Sequence, residues 1–209
     1  MSRVIRPEEW RAQRWANGGG VTHEIVRWME RDRGSAGDGG ERAGGGIRGG
    51  GGDRRGSGGE RGGGGGDGGP ADGAFDVRVS LAEVERSGPF SRFEGYRRWT
   101  ILVGEGPIEL ITDAGEHRLE AMGDRVELPG EVGIRAELRG GATRLLNVIA
   151  RVDARIVVGH GPSAHAVRFV FALEPTAGLG RWDARVCEPA EHAASASTIW
   201  IADDEGAPH

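Results

Sequence analysis

Four polar side chains sit in segments that otherwise read as β-strands: Thr22 and Glu24 in one, Arg78 and Ser80 in the next. Side chains two apart on a strand share a face, so each pair projects to one side. Buried arginine and glutamate are costly unless they are paired or bound to a charged group. If these faces line the interior of a barrel, they form a small polar pocket in which Arg78 clamps a carboxylate in bidentate fashion. If they face water, they are the ordinary polar sides of antiparallel strands. Spacing alone leaves both readings open.

Other chemistries have less to stand on. The six histidines (His23, His117, His160, His165, His192 and His209) include no His-x-His pair. A mononuclear metal site on a barrel needs imidazoles and a carboxylate to converge. His23 neighbours Glu24, but adjacent strand residues point to opposite faces. No metal and no cofactor are therefore expected. Gly161-Pro162-Ser163-Ala164-His165 lacks the final glycine of a nucleophile elbow. Cys187 is the single cysteine, which excludes an intramolecular disulfide and a cysteine-rich metal site. The chain contains no lysine, so a Walker A loop, a Schiff-base lysine and a lysine general base are excluded outright.

The elements that must position these residues are interrupted by a low-complexity tract. Of the chain's 209 residues 40 are glycine, and more than half of the positions from Gly34 to Gly73 are glycine. The tract has no three-residue period and almost no proline, which rules out collagen. Without it, the remaining chain approaches the roughly 45% apolar content of a globular domain. Arg48-Gly49-Gly50 and Arg61-Gly62-Gly63 look like RGG boxes, but the tract's five arginines face six acids, so the electrostatic footprint for nucleic acid is missing. A disordered, solvated linker is the expectation for 34–73. The formal charge is −5, no segment has the length or apolarity of a membrane helix, and Met1 to Arg11 has no signal-peptide core. A cytoplasmic protein follows, with no membrane or nucleic-acid partner.

Strands are predicted over Val21–Met29, Phe75–Val84, Trp99–Val103, Ile108–Thr112, Arg125–Leu128, Ile134–Leu138, Leu145–Ala150, Val167–Leu173 and Thr198–Ile201. In the second of these, Phe75, Val77, Val79 and Leu81 alternate with Asp76, Arg78, Ser80 and Ala82. Many short strands at spacings of about 8 to 12 residues indicate a sandwich or barrel. One short helix is expected around Pro189–Ala196.

Trp15-Ala16-Asn17-Gly18-Gly19-Gly20-Val21-Thr22-His23-Glu24 resembles the W-x-N-G-G-G-x-T-x-E opening of the HutD/Ves family. Arg78-Val79-Ser80-Leu81-Ala82-Glu83-Val84 and Ser87-Gly88-Pro89-Phe90-Ser91-Arg92-Phe93-Glu94-Gly95-Tyr96-Arg97-Arg98 are similar to its next signatures, in order. Residues 1–29 and 74–150 carry nearly all of the match. The chain departs from the family where Phe93-Glu94-Gly95 replaces F-P-G and Leu145-Leu146-Asn147 replaces D-L-N. The resemblance implies an all-β, RmlC-like cupin, a double-stranded β-helix or jelly-roll barrel of bicupin type, formed as one unit over 1–209.

It further implies a metal-independent protein that binds a small anionic metabolite, such as urocanate or formylglutamate, in connection with histidine utilisation. Under that reading Arg78 and Arg98 neutralise a carboxylate. Asn17, Thr22, Glu24 and Ser80 supply hydrogen bonds, and Trp15 and Phe90 supply apolar walls. A homodimer is the one assembly entertained. Two alternatives stay open: a cupin isomerase or hydrolase with Glu24 as general base, and a regulatory module acting through a protein partner. Binding is favoured over catalysis because no nucleophile–base pair is visible.

Lengthening a loop from about 5 to about 40 residues costs only about 1.8 kcal/mol of closure entropy. Excision of 34–73 is therefore expected to leave a folded domain with unchanged ligand affinity, checked by thermal unfolding and titration. Unfolding of the shortened chain would contradict the linker reading.

Overall fold

The computed structural model describes residues 2–29, 75–176, 178–188 and 194–204. The tract at 34–73, His192, His209 and most of the expected helix at Pro189–Ala196 lie outside the described residues. Ala194 to Ala196 are not helical.

Three antiparallel sheets form three layers. The central sheet runs, in spatial order, β2 (Arg11–Arg14), β3 (Gly20–Trp28), β4 (Val77–Val84), β11 (Thr143–Arg151), β6 (Tyr96–Leu102) and β9 (Arg125–Pro129). On one side lies a five-stranded sheet of β1 (Arg3–Ile5), β14 (Ala184–Val186), β13 (Val167–Ala172), β15 (Thr198–Asp203) and β12 (Ile156–His160). On the other lies a four-stranded sheet of β5 (Gly88–Pro89), β10 (Arg135–Leu138), β7 (Ile108–Thr112) and β8 (Gly115–Leu119). A single 3₁₀ turn, Pro7–Glu9, separates β1 from β2.

The period-2 pattern of β4 decides this layering. Val77, Val79 and Leu81 join Val148 and Ile101 of the central sheet and Phe169, Phe171 and Ile201 of the five-stranded sheet in the largest apolar cluster. The alternate residues of β4 face the four-stranded sheet. Ala82 and Val84 pack there with Leu145, Leu102, Ile108 and Leu110, while Arg78 and Ser80 lie further along the same face. Both faces of β4 are covered, so Arg78 and Ser80, each 2% exposed, have nowhere polar to go but the barrel interior. This excludes the reading in which they are a solvated strand face.

All nine predicted strands are present, with ends shifted by up to three residues. β1, β2, β5, β8, β12 and β14 were not anticipated. β2 (Arg-Ala-Gln-Arg) is an exposed edge with no apolar alternation, and edge strands of this kind leave no hydrophobic signature. β5 has only two residues.

The Gly18-Gly19-Gly20 run builds the β2–β3 hairpin. Gly18 adopts φ 66°, a left-handed conformation that glycine takes without steric cost. Gly20 lies so close to β4 that a Cβ there would strike the Glu83 carbonyl oxygen. Glu83 ties β4 to both neighbours: Arg144 Nε of β11 is 3.0 Å from Oε1, and His23 Nε2 of β3 is 3.5 Å from Oε2. Burial pushes its carboxyl up, but the Arg144 and His23 contacts outweigh burial and hold it below the ordinary glutamate value.

Two outcomes follow from this packing. Leu81→Ala removes a side chain that is 1% exposed at the centre of the larger cluster and should cost about 2–5 kcal/mol in denaturant unfolding. Glu83 has a depressed folded-state pKa, so its contribution is present above the unfolded value and lost as pH falls through the folded one. The stability gap between wild type and Glu83→Gln should therefore close on acidification below about pH 5, as read from denaturation midpoints across a pH series.

Candidate functional site

The side of the central sheet that faces the four-stranded sheet carries two polar rows that run across the strands. Glu24, Ser80, Asn147 and Thr100 are register partners in succession through β3, β4, β11 and β6. Arg27, Arg78, Ile149 and Arg98 form the next row. Directly paired residues in antiparallel strands project to the same face, so three arginines and one glutamate share the interior surface.

A bulge in β3 makes this possible. The register slips between Glu24 and Val26, with Ile25 as the extra residue. Glu24 and Arg27 are three apart and would face opposite sides of a regular strand. The bulge restores them to one face, while Ile25, Val26 and Trp28 all reach the opposite cluster. Bulges commonly re-aim side chains next to functional sites. Glu24 Oε2 lies 2.5 Å from an Arg27 Nη and 3.0 Å from Arg78 Nε. This pairing compensates the desolvation of a guanidinium that is 2% exposed.

Arg11, Gln13, Thr22, Glu24, Arg27 and Arg78 line a cavity of ≈ 350 Å³ whose polar wall exceeds its apolar one. Arg11 and Gln13 reach it because β2 pairs with β3 in register Arg11↔Glu24 and Gln13↔Thr22. Thr22 is fixed from behind: Trp15 Nε1 donates to its Oγ1 at 2.8 Å. Trp15 in turn meets Phe90 edge-on, with ring centroids 5.6 Å apart.

Thus Thr22, Glu24 and Arg78 of the expected set come together at the cavity. Ser80 stands beside Glu24 in the buried row. Trp15 and Phe90 belong to the supporting apolar cluster. Asn17 does not join them. It sits in the β2–β3 turn, where its Oδ1 accepts from Gly19 N at 2.9 Å, and its role there is to shape the hairpin. Arg98 lies two strands away from Arg78. Its Nε and one Nη donate to Asn147 Oδ1 at 3.1 and 3.0 Å, another Nη donates to Ser91 O at 3.3 Å, and its guanidinium lies over Phe90 at 4.9 Å. Thr100 Oγ1 donates to the same Asn147 oxygen at 3.1 Å.

Arg11, Gln13, Arg27, Asn147 and Thr100 were not singled out from the sequence. Asn147 had a signal, as the one polar residue inside the apolar run Leu145–Ala150. Arg27 also had one. The alternation in β3 slips phase after Ile25, and a bulge accounts for the slip.

The histidines lie apart. His23 faces the other layer, its ring 6.1 Å from Trp10. His117 is on β8 opposite Leu110, His160 ends β12, and His165 lies 5.6 Å from Trp200. Among the described residues, no three His, Cys, Asp or Glu side chains are grouped so as to hold a metal ion, and no helix is long and apolar enough to cross a membrane.

A family model described as HutD matches residues 66–169. An uncharacterized 21.2 kDa protein from the hutC 3′ region of Pseudomonas putida is 31% identical over 147 residues, or 70% of this chain; the chain spans 56% of that relative's length. HutD from Pseudomonas fluorescens SBW25 superposes with a TM-score of 0.60 at 22% identity, covering 97% of this chain and 94% of that one. A conserved protein of Pseudomonas aeruginosa PAO1 gives a TM-score of 0.61 at 21% identity, covering 98% and 94%. These two likenesses are of fold. The motifs and the matched family model agree: the chain belongs to the HutD family.

Proposed function

We propose that the protein binds a small anionic metabolite in the cavity beneath β2 and, through that ligand, is linked to histidine utilisation. The observation that carries the proposal is Arg78, which is 2% exposed yet lines a cavity open to small molecules. A guanidinium stays charged at any physiological pH and presents its donors in a planar fork matched to carboxylates. Arg11 and Arg27 add positive charge around the same space, and Gln13 and Thr22 add neutral hydrogen-bonding groups.

The hutC-region relative and the HutD structure supply the metabolic context. Urocanate and formylglutamate are the ligand class that fits it, each with a carboxylate for Arg78. Recognition runs through side chains, independently of a metal, and the protein acts in the cytoplasm. Binding is favoured over catalysis because Glu24, the candidate base, is held between two guanidinia. A purely partner-borne role draws less support, since Val152 is the one large hydrophobic side chain exposed among the described residues.

Calorimetric titration with urocanate, formylglutamate and simple carboxylates tests the reading. Wild type should bind at least one of the two metabolites. Arg78→Ala should weaken that affinity by about 10- to 100-fold, the worth of a hydrogen bond to a charged group. Arg78→Lys, which keeps the charge but loses the fork, should fall between them. No binding, or binding indifferent to Arg78, overturns the proposal.

A further inference from the structure

We infer that Glu24 is an internal counter-ion that competes with the ligand: its carboxylate occupies the anion position between Arg27 and Arg78, and an incoming carboxylate displaces it. This rests on the anion-binding reading above and assigns Glu24 a role opposite to that of a ligand-contacting group.

The argument begins with the bulge. Ile25 brings Glu24 and Arg27 onto one face and places both beside Arg78. The result is a carboxylate covalently tethered inside a cavity whose other charged linings among the described residues, Arg11, Arg27 and Arg78, are cationic. The shortest contact to each guanidinium is made by the same carboxylate oxygen, Oε2. Fork-on-fork pairing through two oxygens is the stronger and more directional geometry. A ligand carboxylate that achieves it with Arg78 competes directly with the tethered carboxylate of Glu24. In the unliganded site Glu24 contributes negative charge beside two guanidinia, and burial of charge is costly where it is not compensated. The side chain thus stabilises the unliganded fold and lowers ligand affinity at once. It also sets a threshold that excludes anions able to offer only charge, such as chloride.

Two measurements test the inference. In the first, Glu24→Gln keeps the shape and removes the charge. It should bind the carboxylates recognised by wild type at least about tenfold more tightly, because the competing charge is gone. Glu24→Asp, which draws the carboxylate back by one methylene, should bind with an intermediate gain. In the second, thermal unfolding is followed in sodium acetate and in sodium chloride at matched ionic strength. The melting temperature of Glu24→Gln should start below that of wild type and rise saturably with acetate, and should rise far less with chloride. Wild type should respond only weakly to either salt.

Weaker carboxylate binding by Glu24→Gln, with unchanged or weaker binding by Glu24→Asp, overturns the inference. So does an acetate response that is the same in the variant and wild type. These outcomes separate from failure of the functional reading. Wild type that binds neither metabolite, alongside acetate rescue of Glu24→Gln, would remove the metabolite assignment and leave the internal counter-ion in place.

Discussion

The structure depends on one geometric constraint: β4 is covered on both faces. An alternating strand at the middle of a stack must send half its side chains into each layer, and neither half meets water. Val77, Val79 and Leu81 accept this readily and anchor the larger core. Arg78 and Ser80 are sent the other way by the same alternation and enter the barrel interior. Strand β11, paired with β4 from Thr143 to Ala150, repeats the arrangement, with Val148 on one face and Asn147 on the other. The candidate site answers the problem of polar groups, Arg78 and Ser80 above all, held largely out of water at the inner end of a cavity.

The answer differs along the row of arginines. Arg78 and Arg27 share a carboxylate, supplied by a strand that had to be bulged to deliver it. Arg98 is oriented by an amide oxygen, a main-chain carbonyl and an aromatic face. Asn147 has the shape of an aspartate without its charge, so it directs that guanidinium without neutralising it. Behind the cavity, Trp15 fixes Thr22 by one hydrogen bond and is itself wedged against Phe90. Parts of the signature that look like ligand contacts in sequence are thus divided between wall, support and turn. Asn17 belongs to the turn.

The opposite face of the same strands shows what the alternation keeps apart. His23 and Glu83 meet each other, Arg144 and Trp10 on the side of the five-stranded sheet. His23 is therefore separated from Glu24 by the thickness of the sheet, although the two are adjacent in the chain. The Glu83 contacts join β3, β4 and β11 at the end where the Gly18-Gly19-Gly20 hairpin enters.

Much of this was legible in the sequence, for a physical reason. Period-2 alternation is local, so the nine strands, the two faces of β4 and the grouping of Thr22 with Glu24 and of Arg78 with Ser80 follow from residue order alone. The absence of lysine and the single cysteine excluded whole chemistries by composition. The edge strand β2 and the two-residue β5 escaped because exposed or very short strands leave no hydrophobic pattern. Only the tertiary structure could decide whether the polar face was wet or buried, because that depends on a second sheet arriving from distant sequence. It alone decided that Glu24 is matched with Arg27 and Arg78, since a one-residue bulge reverses the facing of everything after it. It alone placed Asn17 outside the cavity and brought Arg11 and Gln13 into it, since their neighbours are set by cross-strand register and not by spacing along the chain.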